Sequence, residues 1–167
     1  LLAWLRSLIY ATREDLLPDF RHYADALAAW PASARPDGTL PGPDRFEGRS
    51  VRNVLNATVA AAGHAPLDVY VALMEAAARH LLRFDERHAL RTDNGIADNV
   101  GWLDFSHALT FGHALRQQCA RQVHLWPQGL LQLGLFVGRN SGYLDPNVAA
   151  QTAIREWAVT NEMAFHE

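Results

Sequence analysis

Two segments of this chain place a carboxylate and an imidazole three residues apart: Asp85-Glu86-Arg87-His88 and Asp104-Phe105-Ser106-His107. On a helix, side chains at that spacing share a face. Such a pair can be half of a metal site, a proton relay, or a couple in which the acid simply orients the ring. Asp85, His88, Asp104 and His107 are therefore the candidate ligands for a divalent metal or iron. The nearest precedent is the di-iron carboxylate bundle, which uses Glu-x-x-His from two helices and a Glu from each of two others. Glu162 and His166 could add ligands from a further helix. Asp reaches less far than Glu, so the pattern is only analogous. The chain has no H-x-x-x-H, no His-Asp dipeptide and no H-E-x-x-H. Hemerythrin-like, helical phosphohydrolase and zinc-protease sites are set aside on that ground.

Helices must position these groups. Residues 1–29 are Ala/Leu-rich with a break expected near Pro18, and residues 31–50 hold four prolines and three glycines and read as a long loop. Helix is expected from Val51 to Gly63, from Pro66 to about Leu90, from Val100 to Gln122 and from Trp126 to Gly138. A polar loop spans 92–99, and a last helix is announced by Asp145-Pro146, a cap followed by a first-turn proline. No useful strand-like alternation occurs. The expected fold is all-α: one bundle of about six helices over residues 1–167. The chain opens without Met and stops in a helical pattern, so a segment of a longer chain is expected.

Helical phase refines the candidates. On a helix over 66–90, His80, Asp85 and His88 lie on or beside the apolar arc, while Glu75, Arg79, Arg83 and Glu86 form the opposite, solvated face. The 100–122 segment is apolar over most of its circumference, as a central helix is. It nevertheless carries two polar stripes, Asp104 with His107 toward Gln118, and Ser106, Thr110, His113 and Gln117. Polar stripes on a buried helix face one another, a cavity, a ligand or water. His107, Asp104, Thr110 and His113 are thus the candidate catalytic or substrate-contacting residues.

The segment His107-Ala108-Leu109-Thr110, followed by Ala114-Leu115, resembles the helical H-A-x-T…A-L segment of questin-oxidase-like proteins. Those are Baeyer–Villiger-type oxygenases of aromatic polyketides. The resemblance covers only this part of one helix; the chain is shorter than that family's proteins and its other helices do not match. It implies an oxidoreductase with a large apolar pocket, with His107 and Thr110 as pocket residues.

Two absences narrow the chemistry. There is no lysine among the 15 basic residues, which removes a P-loop lysine and Schiff-base catalysis. The single Cys119 removes cysteine-ligated zinc and iron–sulfur clusters within this segment, and makes a cytoplasmic location the default expectation. Electrons for an oxygenase would then come from outside, from NADPH or a donor protein. A net charge of −3 gives no case for nucleic acid, and no apolar run reaches the ~18 residues of a membrane helix.

Three readings follow. The first is a helical oxidoreductase whose buried Asp/His site binds a metal or activates an apolar or aromatic substrate. The second is a non-catalytic ligand-binding or sensor domain with a closed apolar pocket at His113 and Thr110. The third is a structural or dimerisation module, a homodimer or a contact for another domain, with its polar stripes satisfied internally and an apolar face on a partner, carrying Trp4 and Trp157.

Overall fold

The computed structural model describes residues 20–30, 40–91 and 100–148. Within them run five α-helices: α1 (Phe20–Ala29), α2 (Val51–Ala60), α3 (Pro66–Leu82), α4 (Trp102–Arg121) and α5 (Trp126–Asn140). No strand occurs among the described residues; a lone antiparallel bridge joins Phe84 to Leu144. The fold is all-α, as expected, with five helices in the described part where about six were expected. Pro18, Trp4, Trp157, the 92–99 loop, Glu162, His166 and the helix expected after Asp145-Pro146 lie outside the described residues or lead out of them.

The central helix is α5, not α4. Nine of its residues are buried, including Leu130, Leu131, Leu133, Leu135 and Val137, and it packs against α1, α2, α3 and α4. Two glycines bring it against α2. A Cβ at Gly134 would stand 3.3 Å from Val54 Cγ1, and one at Gly138 would stand 2.5 Å from Val51 Cα. The second neighbour is backbone and cannot swing aside. By contrast α4 buries a single stripe, Phe105, Ala108, Gly112, Leu115 and Cys119. That stripe recurs every three to four residues, the signature of an amphipathic helix lying on a core. The abundance of apolar residues in α4 is misleading because Trp102 and Leu103, at its start, stand in solvent.

Helix α3 stops earlier than its sequence pattern suggests, at Leu82 rather than near Leu90. The reason lies in the backbone. The Arg83 carbonyl accepts from Asp145 N–H at 2.7 Å, and Asp85 N–H donates to the Tyr143 carbonyl at 3.0 Å. Groups that would have continued the helix are committed to the 143–145 segment instead. Asp85 then caps a single 3-10 turn, Glu86–His88.

Close packing at Gly138 gives a direct test. In Gly138→Ala the added methyl meets α2 backbone, and the gain in helix propensity cannot offset the overpacking. A loss of about 1–3 kcal/mol in urea unfolding is expected. Gly142→Ala, where nothing lies within 4 Å of the new atom, should stay within about 0.5 kcal/mol of wild type.

Candidate functional site

The first carboxylate–imidazole pair is not on an α-helix. Asp85 sits in the extended residue before the 3-10 turn and is almost fully buried. Its Oδ1 accepts from the Arg87 backbone N–H at 3.0 Å and from Arg87 Nε at 2.8 Å, and its Oδ2 accepts from Arg87 Nη2 at 2.7 Å. The Arg87 guanidinium holds its carboxyl down to about 2. His88 Nε2 stands 3.9 Å from Oδ2, outside hydrogen-bond range. Its ring instead meets Tyr143 edge-on, with centroids 5.1 Å apart. The acid therefore serves a turn, and the imidazole serves an aromatic contact.

The second pair is on a helix, and its acid too is bonded to other partners. Asp104 lies in the first turn of α4, where its Oδ2 accepts from Gly101 N–H at 3.0 Å. A carboxylate there satisfies an orphan donor and complements the helix dipole. Its other oxygen accepts from Arg139 Nη1 at 2.9 Å, tying the start of α4 to the end of α5. Asn140 Nδ2 adds a 3.4 Å bond to the Asp104 carbonyl.

Solvent takes the rest of both stripes. His107, Thr110, His113, Gln117 and Gln118 are exposed. Thr110 Oγ1 donates back to the His107 carbonyl at 3.1 Å, and Ser106 Oγ to the Leu103 carbonyl at 3.0 Å, both local helix bonds. The expectation of a buried polar stripe is corrected here: α4 turns its polar faces outward because α5 occupies the centre. The closed apolar pocket expected around His113 and Thr110 is likewise not formed by these exposed side chains.

The two D-x-x-H segments do approach each other, through Phe84, which precedes Asp85, and Phe105. Phe84 and Phe105 rings lie 4.9 Å apart. Their acids diverge, one to Arg87 and the other to Arg139. Among the described residues no three His, Cys, Asp or Glu side chains gather as a metal site requires. Asp85, His88, Asp104 and His107 are not drawn into one ligand set.

A different polar cluster forms where the sequence suggested only a loop and a solvated helix face. Arg79 on α3 is buried and bonds three acids: Asp44 Oδ1 at 2.8 Å, Glu47 Oε2 at 3.3 Å and Glu75 Oε1 at 3.1 Å. Arg83 pairs with the other Glu47 oxygen. Fully buried beside them, His80 Nε2 accepts from Gly48 N–H at 3.1 Å. Gly48 takes a φ of 66°, a left-handed turn suited to glycine. Phe46, wholly buried, is the apolar anchor of the same segment. Residues 43–50 are thus latched onto α3, and Ser50 at the end of the latch caps α2. Only the i,i+4 pair Glu75–Arg79 was visible as a local spacing; the partners 32 to 36 residues away were not.

His80 makes the latch sensitive to acid. Because Nε2 accepts from Gly48, the neutral ring carries its proton on Nδ1, which has no bonding partner. Burial pushes its pKa from the ordinary 6.5 down to about 4, against the pull of Glu47. The unfolded chain then binds a proton that the folded state resists. Stability is complete above about pH 6.5, falls as pH drops toward about 4, and levels off below. The expected loss is about 3 kcal/mol. Urea unfolding between pH 7 and 4 should show this slope in wild type and a clearly shallower one in His80→Gln; equal slopes would refute it.

Comparison with known proteins adds no family to this geometry, because no family model, curated protein or solved structure matches the chain.

Proposed function

We propose that this helical domain is a structural module that works by self-association rather than by catalysis. The observation that carries this reading is the apolar surface left open between α3 and α4. Leu90 is 80% exposed, Trp102 59% and Leu103 53%. Beside them lies a hollow of about 300 Å³ lined by Phe84, Glu86, Ala89, Leu90 and Trp102. Projecting side chains next to an apolar hollow suit a two-fold contact, in which one patch must supply both knob and hole. Burying the open part of Trp102 alone is worth about 3 kcal/mol.

The polar groups support the same reading. Asp85, Asp104, Glu47 and Arg79 are engaged by internal partners, and the imidazoles of His107 and His113 stand in water. An oxidoreductase would need a centre built on the solvent-facing His107, Thr110 and His113, with another domain or partner closing over them. That reading rests on the short His107–Thr110 resemblance. Stoichiometric metal on the purified chain, lost in His107→Ala, would favour it over the present one. Among the described residues no helix is long and apolar enough to cross a membrane.

Sedimentation velocity over a concentration series tests the proposal. A dimer is expected, and Trp102→Ser together with Leu90→Ser should weaken it by at least about tenfold. A chain that stays monomeric throughout, or a dimer indifferent to both substitutions, would overturn it.

A further inference from the structure

The acids of the latch segment are consumed on one side, which leaves its arginines on another. In 43–52 the sequence runs Pro-Asp-Arg-Phe-Glu-Gly-Arg-Ser-Val-Arg. Asp44 and Glu47 pair with Arg79 and Arg83 of α3. Arg45 and Arg49 have no ion-pair partner among the described residues. Both line a groove of about 380 Å³ along α2, together with Asn53, Asn56, Ala57 and Ala60.

Spacing explains how the groove forms. Asn53, Asn56, Ala57 and Ala60 recur at three- and four-residue intervals and so share one face of α2. Ala57 and Ala60 contribute only small side chains, which leaves room in a groove that two arginines also line. Among the described residues no carboxylate lines it, and two arginines do, in a chain of net charge −3. Its volume falls within the range of small-molecule sites, about 300–1,000 Å³. Guanidinium groups are suited to paired hydrogen bonds with planar or tetrahedral oxyanions, and side-chain amides can take a neighbouring hydroxyl or carbonyl.

The geometry points to a binding groove for a small phosphate- or carboxylate-bearing molecule, its anionic group held by Arg45 and Arg49 and its polar body by Asn53 and Asn56. This site is separate from the Leu90–Trp102 surface and does not depend on self-association. The groove is open to water, so the expected affinity is modest, with a Kd of about 0.1–10 mM for a bare anion.

Titration followed by ¹H–¹⁵N correlation spectra decides the matter. Inorganic phosphate and succinate are added in separate experiments, with sodium chloride holding ionic strength constant. Saturable shifts confined to residues 45–60 are expected with at least one probe, and which probe saturates assigns the oxyanion. Arg49→Gln, at an exposed position, should keep its far-UV circular dichroism and lose at least about tenfold in affinity. Shifts that never saturate, or that match those of chloride alone, would overturn the site. So would unchanged binding in an Arg45→Gln/Arg49→Gln double variant.

Discussion

The approach of α5 to α2 is the constraint on which the rest of the described structure depends. Gly134 and Gly138 let the two helices close to backbone distance, and that contact puts α5 in the middle of the bundle. Everything near the sequence's candidate chemistry is then arranged around the C-terminal end of α5. Arg139 and Asn140 reach the first turn of α4. The chain immediately after, through Tyr143, Leu144 and Asp145, takes up the backbone groups at the end of α3. One buried helix thereby ends its neighbour α3, starts its neighbour α4, and decides which face of α4 meets water.

Much of the fold was legible because it rests on local rules. Proline at the first turn of α3 and of α5 and the apolar periodicities predict helices close to where they stand. What local rules could not give was rank among the helices. α4 and α5 are both rich in apolar residues, and only the tolerance for close approach at Gly134 and Gly138 marks α5 as central. The end of α3 was illegible for a related reason: residues 83–90 keep helical spacing, but their backbone partners come from 143–145, some 60 positions away. A pattern can show what a segment is able to form; it cannot show a competing partner that distant.

The partners of the two candidate acids were illegible for the same reason. A D-x-x-H spacing puts two groups on one face, but each acid found a stronger partner in a guanidinium: Asp85 in Arg87 and Asp104 in Arg139. Charge-assisted bonds to arginine outcompete a bond to a neutral imidazole. With 15 arginines and no lysine the chain is well supplied with such partners, and it spends them on internal joints: Arg79 and Arg83 on the 43–50 latch, Arg139 on the α4–α5 corner. Arg45 and Arg49 stand out as the arginines of the latch segment that are not so used.

A structural role for the two acids is the central claim. A double-mutant cycle on Asp104 and Arg139, read by urea unfolding, addresses this most directly. Both side chains are roughly three-quarters buried, so a coupling energy of about 1 kcal/mol is expected, with Asp104→Ala alone destabilising the protein. Additive effects, or an Asp104→Ala protein more stable than wild type, would mark Asp104 as a residue held for function at a cost in stability, and would contradict the account.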